Sequence, residues 1–429
     1  MNNNFDQPKK YDAVLGGNNP PPIDGVVLGG IEGLKSRLAS NNIQSQISAL
    51  SEALNYGEVG LDLVIDALSN YRREVRKNAY QLLQQREEKK AKVAVSNYKF
   101  WSDFEYLNRR PYEHAKTFAS RKVEDFYPET GIIDPINIAY ALRIELYQED
   151  DPEFQAKFSS LINMEKVSQL EALVIGCWGY EYNNSVMNIL INANLQLSSI
   201  KALFIGDIED KENMISSIKL GDINPILRAY PNLELLHIRG GRGLRFSSDS
   251  LKKHDKLKAI RIESGGLPRE AINNLCALNL PALEYLELLI GTDYYGGNST
   301  IEDLMPIIKG EAFPNLKYLG LRNAEYTDEI VFELVKSPFL EDLIELDLSL
   351  GTLGIEGAEA LLNCSAINEL DTLNISKNWL RGFPETINQL LQLDCEVIIG
   401  AQGSYDPNKQ LEEEEDAWWE YCRYCSVRE

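Results

Sequence analysis

The chain has 429 residues, 44% of them hydrophobic, and no apolar run of about 18 or more, so it reads as a folded chain without a helical membrane span. A formal net charge of −22 argues against a nucleic-acid binder, whose affinity comes from Lys and Arg on phosphates. Such acidity serves solubility, or attracts a basic protein partner.

Residues 1–27 read as an extended Pro/Gly-rich arm: Pro20-Pro21-Pro22 lies between Val14-Leu-Gly-Gly17 and its repeat Val27-Leu-Gly-Gly30. Paired glycines suggest a phosphate cradle, but no G-x-G-x-x-G and no following Lys accompany them. The start, MNNNFDQPKK, lacks the apolar core of a signal peptide. Residues 28–95 turn helical. Ile43, Ile47, Leu50 and Leu54 mark one face, Leu61, Val64, Ile65 and Leu68 a second, and Val75, Ala79, Leu82 and Leu83 a third. The phrase from Ala53 to Leu83 resembles a HEAT-type helical repeat, which implies a small all-α module. Residues 96–137 form an aromatic-rich connector in which Tyr98, Phe100, Trp101, Phe104, Tyr106, Tyr112, Phe118 and Phe126 alternate with Arg109, Arg110, Lys116, Arg121 and Lys122. Aromatics with cations can stack nucleobases; a hydrophobic hinge is the commoner use.

From 138 to 400 one phrase returns, after a strand at Tyr140–Leu146 and a helix opened by Pro152 that read as a divergent first unit. The phrase is L-x-x-L-x-L: Leu170-Glu-Ala-Leu173-Val-Ile175 and its counterparts beginning at Ile200, Leu233, Leu257, Leu283, Leu316, Leu343 and Leu370. Starts fall 30, 33, 24, 26, 33, 27 and 27 residues apart, and Cys395-Glu-Val397-Ile-Ile399 is a degenerate ninth copy. A fixed phrase at that period marks a solenoid. Apolar positions alternate with variable ones, as a short strand with one buried face requires, and Gly354–Leu362 has helical spacing. This combination resembles the ribonuclease-inhibitor-like subclass of leucine-rich repeats. The resemblance implies an α/β solenoid horseshoe with a parallel concave sheet and convex helices. The phrases Arg239–Leu244, Gly265–Glu270, Gly291–Gly297, Leu319–Asn323 and Leu348–Thr352 also resemble a bacterial leucine-rich-repeat family, which implies the fold and no activity. Only Asn323 and Asn378 stand near the usual Asn position.

In that fold the residues between the leucines face the concave side, and His237, Arg239, Arg261, Glu263, Tyr285, Glu287, Tyr318, Arg322 and Asp347 are the candidate partner-binding residues. Tyr and Arg are enriched at binding hot spots; mutual neutralisation across neighbouring rungs is the competing reading. The glycine-rich turns after the third, fourth and fifth copies should share one rim. Gly240, Gly241, Arg242, Gly265, Gly266, Asp293, Tyr294 and Tyr295 are its candidate contacts, with Arg269 beside them; making the turns is the glycines' other use.

The tail, 401–429, carries an acidic run at Leu411–Asp416, then Trp418, Trp419, Tyr421 and Tyr424, expected to cover the last repeat. Cys422-Arg-Tyr-Cys425 has no second ligand pair for zinc. Six scattered cysteines fit reduced thiols and a cytoplasmic protein. No G-x-S-x-G, H-E-x-x-H, Walker loop or kinase set occurs, and His114, His237 and His254 are the only histidines. The expectation is a non-enzymatic interaction scaffold without metal or cofactor. Its alternatives are a small-ligand regulator or enzyme-associated subunit using the glycine rim, and a nucleic-acid-linked role through residues 98–126.

Overall fold

In the computed structural model the described residues are 30–70, 72–102, 104, 114–144, 152–178, 185–247, 253–403 and 425. The arm, the acidic run with its aromatics, and Cys422 lie outside them, as do Tyr106, Arg109, Arg110 and Tyr112. The chain divides into two compact units, 1–102 and 103–429.

The first unit is all-α: α1 (Gly30–Leu38), α2 (Ile43–Ala53), α3 (Gly57–Asn70), α4 (Arg73–Gln84) and α5 (Lys89–Tyr98). Asn42 caps α2 by accepting from the Ser45 N–H at 2.9 Å, satisfying a donor that the first turn otherwise leaves unpaired. The three apolar faces read from the sequence are those that pack: Leu50, Leu61, Val64, Leu68, Val75, Ala79 and Leu83 are buried in one cluster with Leu34 and Leu38. A Cβ on Gly60 would stand 1.7 Å from the Ala53 carbonyl oxygen, so only glycine lets α3 pass α2 so closely.

The second unit is built on a 12-stranded sheet whose strands lie in chain order. They are β1 (Thr117–Phe118), β2 (Arg121–Asp125), β3 (Ile138–Leu142), β4 (Ala172–Ile175), β5 (Ala202–Ile205) and β6 (Leu235–Arg239). The series continues with β7 (Ala259–Glu263), β8 (Tyr285–Gly291), β9 (Tyr318–Ala324), β10 (Glu345–Asp347), β11 (Thr372–Asn374) and β12 (Glu396–Ile398). β1 pairs antiparallel with β2 and all later pairs are parallel. All nine copies of the phrase are therefore strands, the degenerate one being β12. Helices return the chain between most rungs, from α6 (Pro152–Ile162) and α7 (Ser185–Asn192) to α12 (Ile355–Leu362) and α13 (Pro384–Leu390). This is the α/β solenoid that the repeat implies, with an open sheet.

Register explains the repeat. Leu173, Leu203, Leu236, Ile260, Leu286, Leu319, Leu346, Leu373 and Val397 stand opposite one another as a single column through nine rungs. The leucines opening the phrases, Leu170 to Leu370, are at most 1% exposed. Burying one such side chain contributes roughly 1.5–3 kcal/mol, and each rung covers the next. Two details differ from the sequence reading. The sheet begins at Thr117 rather than 138, because β2 pairs with β3 and Phe126 donates its N–H to the Ala141 carbonyl at 2.9 Å. β3 ends at Leu142, with residues 143 and 144 beyond it, and the rest of the strand expected through 146 lies outside the described residues. Asn378, at the usual Asn position, donates from its side chain to the Leu348 and Ile375 carbonyls (2.9 and 3.0 Å) and accepts from the Leu353 N–H, tying three segments together.

Candidate functional site

The leucine column faces the helices, so alternation turns the intervening residues to the other face of the sheet. There Phe204, His237, Arg261, Glu287, Gly320, Asp347 and Asn374 stand in one register row. Arg239 pairs with Glu263, and Leu289 with Arg322, in a second row. All nine partner-binding candidates lie here, and every one is buried.

Their charges form a continuous alternating ladder. Arg143 reaches Asp125 at 2.8 Å and Asp207 at 3.1 Å, and Arg239 lies 3.8 Å from Asp207 and 2.6 Å from Glu263. Arg261 then bridges Glu263 (2.8 Å) and Glu287 (3.3 Å). Arg322 closes the series: it bonds Glu287, lies 3.4 Å from Asp347 and donates to Ser349 Oγ at 2.9 Å. Tyr285 donates to Glu287, Tyr318 to Asp347 at 3.1 Å, and the Asn374 amide to Asp347 at 2.9 Å. Gly320 leaves the room this needs, since a Cβ there would lie 3.1 Å from Glu287 Cγ and from the Tyr318 ring. A buried charge is tolerated only when paired, and here each bridging arginine has carboxylates from two rungs.

The electrostatics follow from that pairing. Burial alone raises the pKa of Glu263, but Arg239 and Arg261 outweigh it and hold the carboxyl well below the ordinary range. Glu287 is also lowered: burial opposes ionisation, and Arg261 and Arg322 prevail. His237 goes down to about 4, because burial outweighs its contact with Glu263 at 3.1 Å. It is a neutral ring stacked on Phe204, 3.7 Å between centroids and 5° between planes. Tyr285 and Tyr318 also stack, at 4.1 Å. Burial first, then Glu287 and Asp347 respectively, push their hydroxyls well up.

Part of this face is covered by the unit's own connector. Phe104 stands edge-on to Tyr285 at 5.0 Å. Further along, the His114 N–H donates to Glu209 at 2.8 Å and the Ala115 N–H to Asp207 at 3.1 Å, while Phe118 lies 5.8 Å from the Phe204 ring.

The rim is different in kind. The second and third glycine-rich turns stack backbone on backbone, and the first packs Gly241 against Ser264: a Cβ on Gly291 would fall 1.8 Å from the Gly265 carbonyl oxygen, one on Gly266 2.4 Å from the Gly297 nitrogen, and one on Gly241 2.4 Å from Ser264 Oγ. Gly291 also needs a φ of 73°. Gly240, Gly241, Gly265 and Gly266 are buried in this stack, whereas Arg242 and Asp293 are exposed, Tyr295 is half-buried, and Tyr294 is 84% exposed. A fourth loop joins them, since a Cβ on Gly265 would lie 3.4 Å from Tyr295 and 3.5 Å from Ile215; its Met214 is 52% exposed. Arg269 points to Asp303 at 3.1 Å.

Sequence reasoning missed Arg143, Asp207, Glu209 and Met214, which stand outside the repeated phrase. The alternating signs of Arg239, Glu263, Arg261 and Glu287 were the available signal for the ladder. Cys425 is buried and acts on Tyr326, whose hydroxyl is pushed up to about 12 mainly by burial. Among the described residues no cluster of three or more His, Cys, Asp or Glu could hold a metal, and no helix is long and apolar enough to cross a membrane.

Among solved structures the chain is similar to a Bacteroides fragilis protein determined by a structural genomics consortium. Identity is 30% over 61% of this chain and 75% of that one, with a TM-score of 0.55. It is also similar to a Leptospira interrogans leucine-rich-repeat protein, at 17% identity over 63% of this chain and 55% of that one, TM-score 0.29. A complex of TLR13 with the single-stranded RNA ssRNA13 matches at 18% identity over 57% and 36% of the two chains, TM-score 0.28. No family model and no curated protein matches the sequence.

Proposed function

We propose that this chain, which belongs to the leucine-rich-repeat proteins and to the same family as the Bacteroides fragilis protein, is a binding scaffold rather than a catalyst. The rim of stacked glycine turns is its standing contact with a protein partner. One observation carries this reading: Tyr294, 84% exposed, and Met214, 52% exposed, project from loops that converge on Gly265, with Arg242 exposed on the neighbouring turn. Exposed aromatic, Met and Arg side chains are the types enriched at protein interfaces. The glycine packing beneath them fixes the backbone that carries them, so the ordering cost of binding is confined to their side chains. It also fills the space that a small ligand would need between the turns. The ladder residues fit a different part of the same job, since buried and mutually neutralised they hold the rungs in register. A partner surface with acidic or aromatic groups complements this rim better than the basic one that the net charge suggests.

The test is affinity capture with the tagged full-length chain and its Met214→Ala/Arg242→Ala/Tyr294→Ala variant. The expected result is a stoichiometric protein partner lost in the variant, with its melting temperature unchanged. A partner retained at full occupancy would remove the rim from the account.

A further inference from the structure

The hairpin that opens the sheet forms its edge and also carries Phe118 over the sheet face. β1 pairs with β2, yet Phe118 is only 7% exposed, with its ring 5.8 Å from Phe204 and 6.4 Å from His237. The approach to it is read like a bound peptide. Glu209 and Asp207 accept the successive backbone N–H groups of His114 and Ala115 at 2.8 and 3.1 Å. Arg143 donates to the Ala115 carbonyl at 3.4 Å, and Glu212 meets the His114 ring at 2.9 Å. Backbone groups held by fixed side chains, with one aromatic seated on a ring, are how extended segments are recognised. The turn that delivers Phe118 is strained: Ala119 and Ser120 have φ of 50° and 58°. A two-residue hairpin with both φ positive favours Asn-Gly, and residues carrying a Cβ reach that conformation at a cost.

We propose that residues 114–118 occupy, in cis, a recognition site for an extended peptide bearing an aromatic side chain, and that a partner segment of that chemistry reaches Phe204 and His237 by displacing them. The proposal rests on the scaffold reading and adds a second, gated surface to the rim. Strain in the Ala119–Ser120 turn offsets part of the cover's own contacts, which keeps the closed state displaceable. A site occupied in cis binds in trans with an affinity reduced by the fraction of open molecules, so loosening the cover raises apparent affinity.

The experiment titrates a fluorescein-labelled peptide of sequence His-Ala-Lys-Thr-Phe-Ala-Ser with the full chain and follows anisotropy. The His114→Ala/Phe118→Ala chain is expected to bind it at least tenfold more tightly than the unsubstituted chain. A peptide with Ala in place of its Phe should bind neither. Equal affinities for the two chains, or for the two peptides, would overturn the proposal. Should the double variant fail to fold, Ala119→Asn/Ser120→Gly decides. Relaxing the turn is expected to slow amide exchange at His114 and Ala115 about tenfold, and unchanged exchange counts against the cover. No cellular partner enters these measurements, so their failure leaves the rim reading standing, and loss of the rim partner leaves this one standing.

Discussion

Arg322→Met tests whether the ladder holds the solenoid together. Arg322 is 2% exposed and faces Glu287 and Asp347, which are 0% and 1% exposed. Methionine fills similar volume without charge. Asp347 keeps donors from Tyr318, Asn374 and the Ser349 N–H, but Glu287 retains only Arg261 and Tyr285. Breaking a buried pair costs about 3–5 kcal/mol because the charge left behind is uncompensated. With those remaining donors the lower end applies, about 3 kcal/mol. Urea unfolding followed by far-ultraviolet circular dichroism measures it, as a shift in midpoint at unchanged slope. Adding Glu287→Gln removes the stranded charge and should recover part of the loss. A loss below about 1 kcal/mol, the size typical of exposed pairs, or a double variant worse than the sum of its parts, would refute the reasoning.

Three further outcomes follow from the same geometry. His237 has its folded pKa depressed to about 4 against an unfolded value near 6.5, so the unfolded chain binds the extra proton. Stability is full above about pH 6.5 and falls by roughly 3 kcal/mol as pH drops toward 4; His237→Phe, which keeps the stack on Phe204, should flatten that slope in thermal melts between pH 7 and 5. Gly291→Ala forces a Cβ into the Gly265 carbonyl at a φ of 73°, and a loss of several degrees in melting temperature is expected where Gly296→Ala, with open space around it, loses less. Asn378→Ala leaves the Leu348 carbonyl and the Leu353 N–H without this partner, while the Ile375 carbonyl keeps the Gln402 side-chain amide at 2.9 Å; at about 1–3 kcal/mol for each stranded group, the final rungs should lose amide protection first.

The leucine phrase made the fold legible because each copy meets its neighbours at the same depth. Leu286 sits between Ile260 and Leu319, and no residue outside the column is needed to see that. The face was harder to read. Glu287, between two leucines, looks like a solvent-facing residue, and its complete burial depends on Arg261, Arg322 and Tyr285 arriving from three rungs. Asp207 and Arg143 extend the ladder from segments that the phrase does not mark. Phe118 stood out as an aromatic, but its seat on Phe204 needed the positive-φ turn at Ala119, which the sequence Ala-Ser does not announce. The rim could be located because its glycines cluster after three successive copies. Which of its side chains project depended on the backbone contacts at Gly265 and Gly266.

The claim that the rim meets the partner is tested most directly by photocrosslinking. Benzoylphenylalanine placed at position 294, on the rim, and at position 332 on the helix α11 (Thr327–Leu334), where Phe332 is 37% exposed, gives two chains differing only in where the probe stands. A single crosslinked partner is expected from position 294 and none from 332. A partner captured from 332 and not from 294 would contradict it.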